Sequence, residues 1–156
     1  MGRTLKTLAN PKDKQELLER LSGLRSDTPR AWGKMSAPQM VCHLNDSFRT
    51  KLEGIPVVSL SSGFTRTALK WGALWVPLPW PHGVRTPPEL DQQLGGTVPG
   101  EFETDRQELA SLLQRFAEPP GGLNAASHTY FGTISVAEWM RWGYLHSDHH
   151  LRQFYC

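Results

Sequence analysis

Cysteine is scarce in this sequence. Of the 156 residues only Cys42 and Cys156 are cysteines, and they lie far apart without forming a Cys-x-x-Cys pair. Neither a disulfide framework nor a zinc knuckle is therefore indicated. Low cysteine usage also suits a reducing compartment, and we expect a cytoplasmic protein.

An excess of charge of one sign is also lacking. The chain carries 17 lysines and arginines against 15 acidic residues, and the basic residues are scattered along it. Proteins that bind nucleic acids usually concentrate basic residues in one patch. We therefore expect no nucleic-acid partner.

Long hydrophobic runs are absent as well. The longest apolar stretch covers residues 71–80 and contains two prolines, so it is too short to span a bilayer. The beginning of the chain lacks the apolar core of a signal peptide. We expect no membrane partner.

β-Branched residues are few, whereas leucine is abundant. Leucine occurs 20 times, but isoleucine and valine together occur only nine times. Because β-branched side chains favour strands, this balance predicts a mainly α-helical protein. The length suits one domain that covers residues 1–156.

Two helices are predicted in the first third of the chain. Asn10 is a typical N-cap and Pro11 a typical first helical residue, so the first helix is placed near residues 11–25. The second helix begins at Ser36, where Ser-Ala-Pro-Gln matches a capping box, and ends before Gly54.

A proline-rich segment separates this pair from two further helices. Residues 54–101 contain six prolines between positions 77 and 99 and leave room only for a short helix near residues 65–75. The third helix is predicted at residues 102–117, and the fourth runs from its N-cap Ser135 to about Phe154. The predicted fold class is therefore all-α, a four-helix bundle with a long proline-rich crossover between helices 2 and 3.

The last helix carries an unusual stripe. At 100° per residue, the side chains of Trp139, Trp142, His146, His150 and Gln153 fall on one face. The tryptophans indicate that this face points inward, where polar groups need partners. His146 and His150 are one helical turn apart, so both rings can reach one metal ion.

A third ligand would have to come from another helix. His43 follows Met40 on the inner side of the second helix and is the best candidate. Three neutral imidazoles leave a coordination position open, as catalytic metal sites do. A histidine on an apolar face is nevertheless often a hydrogen-bonded core residue, and that alternative stays open here.

The other histidines give weaker signals. His149 points about 60° away from His146 on the same helix, which favours a partly exposed or supporting position. His128 precedes a predicted turn at Gly132 and could return over the end of the bundle, whereas His82 has no patterned partner. Asp148 lies on nearly the opposite face and is expected to be a solvated charge.

Three segments carry a family resemblance: WGKMSAPQMVCHL, PWPHGVRTPPEL and HTYFGTISVAEWMRWGYLHSDHHLRQF. In this order they resemble the DinB/YfiT-like superfamily of metal-binding four-helix bundles, in particular a branch known only as a domain of unknown function. The resemblance implies that His43, His146 and His150 bind a divalent ion such as nickel, zinc or iron. It also implies a homodimer. Characterised relatives include hydrolase-like proteins and thiol S-transferases, so the resemblance implies an activity of one of these types.

These observations lead to three functional hypotheses. The first is a metal-dependent hydrolase or thiol S-transferase for a small molecule, with Trp71, Trp75 and Trp80 covering the site and His128 or His149 moving a proton. The second is a protein that binds a metal or small ligand without catalysis. The third is a metal-free bundle whose exposed tryptophans bind a protein partner.

Overall fold

In the computed structural model, residues 5–60, 62–118, 127–128 and 130–156 are described. They form a helical protein with almost no strand, as predicted. The order of elements is α1 (Pro11–Ser22), α2 (Ala37–Leu52), α3 (Gly63–Trp75), a 3-10 turn (Pro88–Leu90), α4 (Phe102–Ala117), β1 (Ser127–His128), β2 (Gly132–Thr133) and α5 (Val136–Gln153). The two strands pair antiparallel as a short hairpin before α5.

Side-chain caps fix where the helices begin. Asn10 accepts a hydrogen bond of 2.9 Å from the backbone N–H of Lys12. Ser36 at the start of α2 and Ser135 at the start of α5 both form complete capping boxes, which satisfy amide groups that have no partner inside a helix. The predicted starts of these helices are confirmed. α1 ends at Ser22, three residues before the predicted end, because the chain turns at Gly23.

The segment between α2 and α4 is held at several points. Its 13-residue helix α3 is attached to α5 by Arg141, whose Nε donates to the carbonyl of Leu74 at 2.9 Å. Farther along, the Asp46 carboxylate on α2 accepts hydrogen bonds from the backbone N–H and the hydroxyl of Thr97, at 2.8 and 2.7 Å. These contacts fix the segment against the helices although much of it has no regular structure.

Helices α1, α2, α4 and α5 share the main core. α2 packs against α4, α1 contacts both α4 and α5, and α5 also contacts α2. Near the middle lies an aromatic cluster in which the Phe48 ring is 4.9 Å from Phe116 and 5.7 Å from Trp142. Such edge-to-face pairs add to the stabilisation from burial.

The predicted exposure of Asp148 is wrong. The residue is 7% exposed, and its carboxylate accepts from Arg20 on α1 at 2.7 Å and from Nε of Arg152 at 2.9 Å. The sequence shows that Asp148 faces away from the histidine stripe, but α1 covers that face too. Asp148 on α5 therefore forms an ion pair with Arg20 on α1 instead of being solvated.

None of the helices in the described part of the chain has both the length and the apolar character that crossing a membrane requires.

Gly143 lets α5 approach its neighbours closely. A Cβ at this position would lie 2.6 Å from Cδ1 of Leu8 and 3.3 Å from ring carbons of Phe48 and Phe116. Gly72 on α3 offers a contrast, because a Cβ there would have no heavy atom within 4 Å. Substitution of Gly143 therefore tests close packing, and substitution of Gly72 tests the helix preference of the backbone alone.

We predict that Gly143→Ala lowers the free energy of unfolding by about 1–3 kcal/mol through overpacking. Gly72→Ala should instead raise it by up to about 1 kcal/mol, because alanine favours a helix over glycine. Chemical denaturation of both variants beside the wild type measures the difference. Equal effects of the two substitutions would contradict the close approach at Gly143.

Candidate metal centre

Three histidines meet between α2 and α5. His43 extends from α2, and His146 and His150 extend from successive turns of α5. One ring nitrogen from each lies within 4.8 Å of the other two, and Nε2 of His43 is 3.2 Å from Nε2 of His146. Nitrogens that share one tetrahedral ion at about 2.0–2.1 Å are themselves about 3.3 Å apart. The predicted group is thus one that could hold a metal ion.

Hydrogen bonds assign the protons on two of these rings. Nδ1 of His43 is 2.8 Å from the carbonyl oxygen of Leu90. Because a carbonyl can only accept, this nitrogen carries the proton and Nε2 keeps its lone pair. A backbone carbonyl of this kind is the usual partner that orients a histidine ligand.

Gln153 orients the ring of His150, as the carbonyl of Leu90 orients that of His43. Its amide nitrogen donates to the carbonyl of Trp32 at 2.9 Å, so its oxygen faces Nδ1 of His150 at 3.0 Å. Nδ1 of His150 therefore carries the proton, and Nε2 is free to bind a metal. Gly33 makes room for this arrangement, since a Cβ there would lie 2.5 Å from the Gln153 nitrogen.

The electrostatic environment favours neutral rings. Burial lowers the pKa of His43, and for His146 and His150 it lowers the pKa well below the ordinary value, with further lowering from the neighbouring imidazoles. Neutral imidazole is the form that binds metals. Nδ1 of His146 is buried and has no hydrogen-bond partner among the described residues. The donor set, its protonation and its spacing all fit a divalent transition ion.

A cavity of about 670 Å³ opens beside the three histidines. Its walls come from α2, α3, α5, the hairpin and the proline-rich segment, and they are largely apolar. No aspartate or glutamate occurs among the described lining residues. The apolar and aromatic lining side chains include Trp32, Met35, Leu69, Trp80, Phe131 and Trp142.

The tryptophans of the middle segment divide between two surfaces. Trp80 lines the cavity with its ring 6.1 Å from that of His146, and its indole N–H donates to the carbonyl of Ala73 at 2.8 Å. Trp71 and Trp75 do not line the cavity, which corrects the prediction that they cover the site. α3 turns Ala73 and Gly72 toward the cavity, so the two tryptophans lie on its outer side.

His149 lies beside the three histidines but outside the group that could hold a metal. It is partly exposed, lines the cavity, and has its ring 5.1 Å from that of His150 and 6.0 Å from that of Trp80. Burial and the neighbouring His82 lower its pKa to about 4. Its assignment to proton transfer stays a prediction.

His128 lies at the cavity wall on β1. Its Nδ1 accepts hydrogen bonds from the backbone N–H groups of Tyr130 and Phe131 at 3.1 and 3.3 Å, and its ring stacks on Phe131. Burial, with a smaller effect of Lys51, lowers its pKa to about 3. The ring thus fixes the turn of the hairpin, and its role in catalysis is untested.

His82 has a partner that no sequence pattern indicated. Its ring stacks on Trp32 at a distance of 4.0 Å and an interplanar angle of 6°. The pair joins the loop before α2 to the proline-rich segment. The two residues are separated by 50 positions in the sequence, so only the folded chain brings them together.

Three further groups at the site were given no function by the sequence interpretation. These are the carbonyl of Leu90, the side chain of Gln153 and the amine of Lys51, which also lines the cavity. Gln153 is detectable as a polar residue that continues the inward stripe. Leu90 could not be identified from its side chain, because its backbone carbonyl makes the contact with His43.

We predict that the buried His128 makes the metal-free fold sensitive to acid. The pKa of His128 is about 3 in the folded chain but about 6.5 in the unfolded chain. Below pH 6.5 the unfolded state therefore binds a proton that the folded state does not bind. Stability from this group is present above pH 6.5 and is lost as the pH falls toward 3. Between pH 7 and pH 5 the loss is about 2 kcal/mol.

Urea denaturation at several pH values measures this effect. His128→Asn keeps an acceptor for the backbone amides but does not titrate, so its stability should fall less between pH 7 and pH 5. The exposed His82 provides the control variant His82→Asn. If His128→Asn shows the same pH dependence as the wild type, the assigned environment of His128 is incorrect.

Comparison with known proteins adds a family but no activity. Neither a curated protein nor a solved structure matches the chain. Residues 5–155 match the model of one family, described as Protein of unknown function (DUF1569). This confirms the expected relationship to a domain of unknown function, and the wider resemblance to DinB/YfiT-like bundles stays a prediction. Because the match covers nearly the whole sequence, the chain belongs to the DUF1569 family.

Proposed function

We propose that this chain is a divalent-metal-dependent enzyme of the hydrolase or thiol S-transferase type. In this proposal α1, α2, α4 and α5 form a DinB-like four-helix bundle with a proline-rich crossover. The observation that carries the proposal is the group of three ring nitrogens within 4.8 Å of one another, beside a cavity of about 670 Å³.

His43, His146 and His150 are the proposed ligands. Neutral imidazoles accept nickel, zinc or iron, and three of them leave a position for water or substrate. A divalent ion bound there would supply Lewis acidity, which makes a water or thiol ligand a stronger nucleophile at neutral pH. The hydrogen bonds from His43 to Leu90 and from His150 to Gln153 keep the two ligating nitrogens aimed at one point.

The apolar walls support proposed roles for the other lining residues. Trp80, Phe131 and Trp142 line the cavity and would hold the apolar part of a small-molecule substrate while excluding water. His149 and His128 are the candidates for proton transfer because both line the same cavity. Nδ1 of His128 accepts from two backbone amides, so its Nε2 carries the proton and can only donate a hydrogen bond.

A non-catalytic metal or small-ligand binding protein is the second candidate function. It is favoured by one observation, the lack of an aspartate or glutamate among the described lining residues, since many hydrolytic metal sites use a carboxylate as general base. Turnover of an activated ester or a thiol-conjugation substrate that stops on metal removal and returns on reloading would distinguish the enzyme from this alternative.

A homodimer in the cytoplasm belongs to the same proposal. Phe64 and Trp71 on α3 are 90% and 61% exposed, and such apolar surface would suit a contact between two copies. Both cysteines are free, as is usual in a reducing compartment.

Elemental analysis of tag-free, desalted protein tests the metal site. We expect one transition-metal ion per chain in the wild type and none in His150→Ala or His146→Ala, because each substitution removes a ligand. His149→Ala is the matched control, one position along the same helix, and should keep its metal. Absence of metal in the wild type after soaking with nickel, zinc and iron would reject the site.

Gln153 provides a second test, through orientation of a ligand. We predict that Gln153→Leu weakens metal binding by about 10–100-fold, as is usual when the partner of a ligating histidine is lost. Gln153→Glu keeps an oxygen facing His150 and should bind metal more tightly than the leucine variant. Competition with a chelating dye measures both affinities.

The exposed Gln114 on α4 supplies a control for this substitution. Gln114→Leu should leave the affinity unchanged. Equal metal affinity in Gln153→Leu and the wild type would show that Gln153 does not position His150.

A further inference from the structure

The loop before α2 is tied to the end of α5 at two points. The backbone N–H of Ala31 donates to the carbonyl of Gln153 at 2.7 Å, and the side-chain amide of Gln153 donates to the carbonyl of Trp32 at 2.9 Å. The oxygen of the same side chain faces Nδ1 of His150 at 3.0 Å. The position of this loop therefore decides how Gln153 is held, and with it the ring of His150.

On its other side the loop meets the proline-rich segment through a pair of stacked rings. His82 lies on Trp32 with the ring centres 4.0 Å apart and an interplanar angle of 6°. Among the described residues, no backbone hydrogen bond joins residues 31–35 to residues 78–87. The stack therefore holds the two segments together without help from the backbone.

His82 itself lies outside the cavity and outside the proposed metal centre. It is exposed, and it is not one of the residues that line the cavity beside the three histidines. Its ring is 6.1 Å from that of His149, but His149 is not in the group that could hold a metal. The contacts that lead from His82 to a proposed ligand run through Trp32 and Gln153 to His150.

Loss of the stack would affect His150 in a definite way. Without it the loop leaves its docked position more often, and the Gln153 amide then loses the Trp32 carbonyl as its acceptor. The Gln153 oxygen is no longer held toward Nδ1 of His150. A histidine ligand whose second ring nitrogen loses its partner binds metal more weakly.

We propose that His82 is a positioning residue for the metal centre. Its stack on Trp32 holds the loop whose carbonyl fixes Gln153, and Gln153 in turn orients His150. The inference rests on the proposed function for the metal, whereas the alignment of the His150 ring belongs to the chain alone and is measurable without a metal.

Metal affinity of His82→Ala, measured by competition with a chelating dye, gives the first test. We expect about 3–10-fold weaker binding than in the wild type, the ratio that corresponds to one aromatic pair. His82→Phe keeps a flat ring on Trp32 and should restore the affinity, which an effect of the imidazole charge would not allow. The exposed Gln93 lies in the same segment, and Gln93→Ala should leave the affinity unchanged.

The second test asks whether His82 acts through Gln153. In a Gln153→Leu background the route to His150 is already broken, so adding His82→Ala should change the affinity by no more than about twofold. Independent effects would instead multiply. Multiplied losses in the double variant, or equal losses in His82→Phe and His82→Ala, would overturn the proposal. Circular dichroism confirms that each variant folds.

A third measurement needs no metal. Nuclear magnetic resonance follows the exchange with water of the Nδ1 proton of His150, whose signal is assigned by its absence in His150→Ala. We expect exchange to be about 3–10-fold faster in His82→Ala, because the protecting contact opens more often. His82→Phe should exchange as slowly as the wild type.

The outcomes separate this inference from the proposed function. If the wild type takes up no metal but His82→Ala accelerates exchange of the His150 proton, the positioning role stands and the metal-dependent function fails. If the wild type binds metal while His82→Ala changes neither the affinity nor the exchange, the positioning role fails and the metal site stands.

Discussion

Packing of α2 against α5 sets the geometry of the site. The two helices run antiparallel, so that Lys51 meets Trp139, Phe48 meets Trp142, and His43 meets His146. Gly143 permits this close approach because it presents no side chain to Leu8, Phe48 and Phe116. The histidines at one end of this helix pair and Lys51 at the other line the same cavity.

Residues outside the helices supply the hydrogen-bond partners of His43 and His150. The partner of His43 is a backbone carbonyl at Leu90, and Gln153 links His150 to the carbonyl of Trp32. Burial of neutral imidazoles costs little when each N–H has an acceptor. The proline-rich segment and the loop before α2 therefore orient His43 and His150. Asp46 and Arg141 in turn hold the proline-rich segment against α2 and α5.

The cavity combines three neutral imidazoles, aromatic walls and positive side chains without a described carboxylate. Three neutral imidazoles would not offset the charge of a divalent ion bound there. The same lining offers no carboxylate that could act as a general base among its described residues.

Local signals in the sequence determined the helix starts, the helical fold class and the inward stripe on α5. Caps and periodicity act within a few residues, so Ser36, Ser135 and the spacing of His146 and His150 could be interpreted without a structure. His43 could be named as a third candidate but not located. Only the tertiary structure decided that it reaches the pair on α5, that Asp148 is buried under α1, and that Trp71 and Trp75 face away from the cavity. These outcomes depend on contacts between residues distant in sequence, and no local pattern encodes such contacts.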